Sequence, residues 1–193
     1  TLAQRKLEEL VAIREAGLDR IHVGLETGDD EVLKLVRKGV TSAEQIDGGK
    51  KAVAAGFQLS EYWMPDLGGR ERWRQHAENT ARVLNEINPH YIRSRPFVPR
   101  QGTEIFEEYA HGRLHISSPH ERLEELQVMI ENLNVTSRVC FDHNMNSWTN
   151  RQGGLLFSLD YEGYKFPEEK SLVLDLIQEG LAVDESRHIN VKE

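Results

Sequence analysis

The sequence predicts an α/β fold of parallel βα units, arranged either as a small open sheet or as one part of a larger barrel. Segments with strand-like alternation begin near residues 20, 57 and 90, and the 37 and 33 residues from one start to the next include helical patterns. Strands separated by a helix pair in parallel through right-handed crossovers. Three such units do not close a barrel, which takes about eight strands.

Each element has its own signal. Ala3, Leu7, Leu10 and Val11 share one face of an opening helix over Leu2 to Ala16, which Gly17 ends. In RIHVGLE, Ile21, Val23 and Leu25 alternate as in a strand. The acids of GDDE favour a helix N-terminus; Val32, Leu33 and Val36 follow, and Gly39 stops that helix. Thr41 with Glu44, or Ser42 with Gln45, has capping-box spacing for a helix that buries Ile46 and Val53. Gly48 and Gly49 inside it each cost about 1 kcal/mol against alanine, so a break is expected there. FQLSEYWM, residues 57–64, is the second strand, and Pro65, Gly68 and Gly69 make the next loop. Trp73, Ala77, Thr80, Leu84 and Ile87 trace one face of a long helix. HYIRSRPFV is the third strand, closed by Pro96 and Pro99. Leu123, Leu126, Ile130 and Leu133 mark a helix after Pro119. SRVCFD is a fourth strand, HNMNSWTNRQGG a polar loop, and a last helix runs from Glu168 to Leu181.

Composition narrows the function classes. The 24 basic and 32 acidic side chains leave a net charge of −8, which counts against a non-specific nucleic-acid binder. No apolar run reaches the roughly 18 residues of a membrane span, and no basic-then-apolar leader is present; a cytoplasmic location is expected. One cysteine, Cys140, excludes an internal disulfide framework and any site that needs several thiolates. The helical pattern already under way at Leu2, after Thr1 and without a cap, suggests a piece cut from a longer protein. Two stretches are expected: βα units over 1–115, and a helix–strand–loop–helix extension over 116–193.

In parallel α/β folds ligands sit at the C-terminal ends of strands. Three segments fall there. Glu26 ends the first strand, where its carboxylate either accepts hydrogen bonds from a ligand's hydroxyls or caps the helix that starts at GDDE. YWMPDLGGRE leads a Pro/Gly loop into a helix N-terminus, whose N–H groups suit an anion or a purine edge, although an ordinary turn explains the glycines equally well. Arg93 and Arg95 lie two apart on a strand and therefore share a face, where buried guanidinium groups require carboxylate or phosphate partners. From Asp66 to Arg100 seven arginines meet four acids; Arg70, Arg72, Arg74 and Arg82 are expected on a solvated helix face. His111, His115, His120 and His143 lack the compact spacing of a zinc site. Cys140, between Val139 and Phe141, reads as a buried inert thiol.

AGLDRIHVGLETGDDEVLKLVRKGVTSAE, then AAGF…MPDLGG, then NPHYIRSRPFVPRQGTEIFEEYAHG resemble the second half of a radical S-adenosylmethionine (radical SAM) enzyme core. The later FDHNMN…FPEEKSLVLDLIQEGL is similar to the tail of some such proteins. The match spans roughly Thr1 to Leu181. The resemblance implies a partial, half TIM-type barrel, a fragment of a (β/α)₆ barrel of which this chain supplies strands four to six. It further implies a longer iron–sulfur oxidoreductase, in which a Cys-x₃-Cys-x₂-Cys loop holds a [4Fe–4S] cluster and S-adenosylmethionine is cleaved to a 5′-deoxyadenosyl radical. That loop is absent here, so neither cofactor is expected bound to this chain alone, which would be inactive by itself. By position the cofactor-binding residues implied are Gly24, Glu26, Trp63, Met64, Arg93 and Arg95. Expected partners are a small-molecule cofactor and an unidentified substrate, not a membrane, with self-association through the open sheet edge. Two other readings stand beside this one: a non-catalytic α/β module that binds a nucleotide or a partner, and a metal-dependent hydrolase.

Overall fold

Among the described residues five strands lie side by side in chain order: β1 (Arg20–Glu26), β2 (Gln58–Trp63), β3 (Tyr91–Ser94), β4 (Arg138–Cys140) and β5 (Tyr164–Lys165). This is a computed structural model, and it describes residues 2–188. Thr1, at the edge of the expected match, and residues 189–193, the end of the expected extension, lie outside the described residues. The first four strands are parallel, and β5 runs antiparallel to β4. Among the described residues seven α-helices accompany them: α1 (Leu7–Glu15), α2 (Asp30–Leu35), α3 (Ser42–Ala54), α4 (Gly69–Ile87), α5 (Glu104–Ala110), α6 (Pro119–Asn132) and α7 (Lys170–Leu181). Among the described residues no helix is long and apolar enough to cross a membrane.

Register assigns the two faces of the sheet, because side chains alternate along each strand. Leu59, Trp63, Ile92, Val139 and Phe141 point toward the helices and are buried with Leu84, Ile87, Leu123, Leu126 and Met129. The other face is polar. Gly24, Tyr62, Arg93 and Cys140 stand in one row, and His22, Ser60, Tyr91 and Arg138 in the next.

Several boundaries differ from expectation for physical reasons. The opening helix begins at Leu7 rather than Leu2; Leu2–Gln4 form a 3₁₀ turn, and Lys6 N donates to the Glu9 carboxylate at the start of α1. Helix α3 is unbroken at its glycines. A Cβ on Gly48 would stand 2.9 Å from the Ala3 nitrogen, and one on Gly49 2.7 Å from the Ile87 side chain. Close packing there offsets the lower helix propensity of glycine. The third strand ends at Ser94, although Arg95 N still donates to Trp63 O at 2.9 Å and Phe97 N to Pro65 O at 2.9 Å. Helix α5, capped by Thr103, and β5 are additions that periodicity did not indicate.

Candidate cofactor cleft at the strand ends

A cleft of about 700 Å³ opens at the C-terminal ends of β1, β2 and β3. Gly24, Glu26, Tyr62, Met64, Arg95 and His143 are among the residues that line it. Four of the six expected residues therefore meet at one site. Glu26 occupies its place through a backbone irregularity: the register with β2 shifts between Gly24 and Glu26, and Glu26 itself has φ 66°. A non-glycine residue in that region is uncommon and is held by its surroundings. Here Glu26 O accepts from Met64 N at 2.9 Å, and Glu26 Oε1 lies 2.8 Å from Lys38 Nζ.

Glu26 does not cap the following helix. That task falls to Asp29, whose Oδ1 accepts from Glu31 N and Val32 N. Asp29 is 1% exposed and is also gripped by Arg72 through two bonds, at 2.8 and 3.0 Å, and by Asn79 at 2.7 Å. Burial pushes its carboxyl up, but the bonds from Arg72, Asn79 and Val32 N outweigh burial and hold it at about 2. Arg72 is thus an exception to the expected solvated face. Arg70 and Arg74 do pair with exposed acids, Glu121 and Glu78, and Arg82 reaches Ser42.

Trp63 and Arg93 depart from expectation. Trp63 lies on the helix-facing side, 1% exposed, with its ring centroid 6.1 Å from that of His76; strand alternation turns it away from the cleft. Arg93 shares a face with Arg95, as expected, but is fully buried. Its Nε donates to Ser60 Oγ at 3.0 Å, and Nη1 lies 2.8 Å from Asp142 Oδ2 as an ion pair without hydrogen-bond alignment. The Tyr161 ring covers the guanidinium at 3.8 Å. Arg95 alone reaches the cleft, exposed beside Tyr62.

Five N–H groups of the loop after β2 are already bonded within the protein. Met64, Asp66, Leu67, Gly69 and Arg70 nitrogens donate to Glu26 O, the Glu125 carboxylate, Met64 O, Asp66 O and His115 O. Asp66 anchors this loop in the interior, accepting from Ser117 N and Arg122 Nε, while His76 Nδ1 lies 2.6 Å from Glu125 Oε1. Burial, aided by Glu125, pushes the Asp66 carboxyl up to about 6 against the pull of Arg122 and Ser117.

The histidines do not assemble. His111 bonds Glu107 O, His115 pairs with Glu71, and His120 bonds Val183 O. Among the described residues no group of three His, Cys, Asp or Glu is placed to hold a metal ion. His143 instead belongs to the cleft. Asn146 fixes its loop by donating to Ser94 O and His143 O and accepting from Ser94 Oγ. Burial and then the charge of Arg95 lower the affinity of His143 for a proton. Burial pushes the Cys140 thiol up to about 12, which leaves it an inert group. Tyr62, Lys38 and Tyr161 were missed. Tyr62 was recoverable, because it precedes Met64 by two on the same strand parity; Tyr161 arrives from a distant loop and leaves no local signal.

Residues 1–78 match the family model described as the radical SAM superfamily. Over those residues the chain is similar to that superfamily. It is 24% identical over 96 residues to an uncharacterized methyltransferase of Pyrococcus horikoshii, covering 50% of this chain and 20% of that protein. It is 30% identical over 104 residues to a probable threonylcarbamoyladenosine tRNA methylthiotransferase of Methanocaldococcus jannaschii, covering 53% of this chain and 24% of that protein. The chain thus spans about a quarter or less of the curated relatives it matches. An N-terminally deleted archaeal Elp3 of Methanocaldococcus infernus superposes with a TM-score of 0.61 at 16% identity, over 89% of this chain and 38% of that one. That likeness concerns the fold: the chain has an α/β architecture with a mostly parallel sheet, consistent with a partial TIM-type barrel.

Proposed function

We infer that the cleft at the ends of β1–β3 binds S-adenosylmethionine as part of a longer radical SAM iron–sulfur oxidoreductase, and that this chain alone is inactive. One observation carries the reading: Glu26 and Arg95, with Gly24 and Met64, line a single cleft at the strand ends. The half-exposed Glu26 carboxylate suits ribose hydroxyls, the free Arg95 guanidinium suits a carboxylate, and Met64 and Tyr62 flank room for an adenine. S-adenosylmethionine bound there would supply radical chemistry only within a protein that also held a cluster. A cluster does not fit this chain's residues: Cys140 is the one cysteine, buried and protonated, where three thiolates are needed. By itself the chain acts as a binding module; the separated histidines disfavour the metal-dependent hydrolase.

The test is titration calorimetry with S-adenosylmethionine and with adenosine, which has the ribose but no cluster-chelating group. Glu26→Ala should weaken binding by about 1–3 kcal/mol, the scale for hydrogen bonds to a charged group. Equal affinity in both proteins refutes the assignment. Anaerobic reconstitution should leave the chain without iron; about four irons per chain would overturn the inactivity argument. The proposal extends to self-association through β1, which pairs only with β2 among the described residues and has no proline or lysine along its edge.

A further inference from the structure

We propose that Lys38 is a positioning residue with two alternative partners, holding Glu26 while the cleft is empty and passing to Glu61 when a ligand's hydroxyl groups take Glu26. The proposal rests on the reading of Glu26 given above and adds a residue and a motion to it.

Beside the cleft, between β1, β2 and α3, lies a second cavity of about 330 Å³. Its walls are mainly apolar, from Leu2, Val23, Leu25 and Val40. Glu61 of β2 reaches into it from the helix-facing side of the sheet. That residue is 2% exposed, and its Oε2 has no hydrogen-bond partner among the described residues. An orphaned carboxyl is costly in such a place, and natural structures retain one where another group completes it. Lys38 also lines this cavity. It is the cation that burial of Glu61 works against: desolvation pushes Glu61 up to about 8, and the charge of Lys38 pulls it back.

Geometry supports the transfer. Gly24 lines both the cleft and the cavity, and the Glu26–Lys38 pair sits directly over it. A Cβ on Gly24 would stand 2.8 Å from Glu26 Oε1 and 3.3 Å from Lys38 Nζ. The missing side chain therefore leaves room for the ion pair at the point where the two spaces meet. The lysine is half-buried on a turn between two left-handed residues, Arg37 at φ 51° and Gly39 at φ 75°. This turn, with Lys38 N bonded to Leu33 O, fixes the base of the side chain while its ammonium end swings. The pair it leaves is weak, since both partners are partly exposed, with side chains 26% and 31% accessible.

The readout is the protonation midpoint of Glu61, followed by carboxyl-carbon NMR of glutamate-labelled protein. The other titratable groups lining the cavity are His22, Glu44 and Lys38 itself. In Glu26→Gln the lysine loses its first partner, so Glu61 should release its proton at least tenfold more readily without any ligand. In Lys38→Met the midpoint should rise, and adding Glu26→Gln should then change nothing. Saturating adenosine should reproduce the Glu26→Gln shift in the wild type and not in Lys38→Met. A thermal melt confirms that each variant is folded. An unmoved Glu61 midpoint in Glu26→Gln overturns the two-partner role of Lys38 regardless of ligand. Adenosine binding without a Glu61 shift overturns the ligand-driven step alone. Absence of adenosine binding overturns the cofactor reading and the ligand-driven step, while the Glu26→Gln result still decides whether Lys38 has a second partner.

Discussion

Asp29 and Glu26 are carboxylates three residues apart on the same turn, yet their removal should have very different consequences. Asp29→Ala removes the cap of α2, worth about 1 kcal/mol. It also strips Arg72 and Asn79 of three bonds between 2.7 and 3.0 Å. Hydrogen bonds to a charged group contribute about 1.5–3 kcal/mol, less here because the Arg72 side chain is 38% exposed. The combined loss is about 2–3 kcal/mol, or roughly 5–10 °C in melting temperature for a chain of this size. Glu26→Ala breaks one half-exposed ion pair and should cost at most about 1 kcal/mol. The pH dependence has a definite sign. Asp29 is held at about 2, below its unfolded value of about 3.9, so its contribution is complete above that pH and disappears as pH falls toward 2. Urea unfolding of wild type and both variants at pH 7 and pH 2 tests this. Equal losses in the two variants, or a wild-type advantage over Asp29→Ala that persists undiminished at pH 2, would refute the assignment of Asp29 as the structural carboxylate and Glu26 as the available one.

Three further outcomes are expected. Gly28→Ala places a Cβ 2.5 Å from Asn79 O and 2.8 Å from Thr80 Cα, both backbone atoms, and should cost about 1–3 kcal/mol in urea unfolding; a neutral result would mean that this turn is not pressed against α4. Glu61, raised by burial to about 8 from an unfolded value of about 4.3, keeps its proton in the fold, so stability should decline as pH rises between those values. Glu61→Gln should flatten that decline, and an unchanged slope would assign it to another group. Light scattering at micromolar concentration should give a dimer that buries at least ~1,000 Å² through the β1 edge, whereas a monomer of 22.1 kDa would remove the self-association proposal.

Much of the architecture was legible because its signals are local. Alternation in RIHVGLE and the spacing of strand starts identified parallel βα units, and the capping box of Thr41 with Glu44 is formed as expected. Local rules misled where a distant chain segment intervened. The paired glycines in α3 argue for a break until Leu2, Ala3 and Ile87 are seen packed against them. The Pro/Gly loop after β2 reads equally as an anion cradle or an ordinary turn until Glu125 and His115 are found using two of its donors.

The cleft divides the same way. By itself the sequence determined that Gly24, Glu26, Met64 and Arg95 stand at strand ends, because position along a strand follows from chain order and strand alternation. It also determined that one thiol cannot supply a three-cysteine cluster site. Only the tertiary structure decided which carboxylate remains at the cleft. Asp29 is consumed by Arg72 and Asn79, which lie more than forty residues away, and Glu26 is left facing the cleft. Only it showed Arg93 sealed beneath Tyr161, and Lys38 between Glu26 and the unpaired Glu61. Charge pairing acts through space over a few ångströms, and no pattern of neighbouring residues records which groups the fold brings that close.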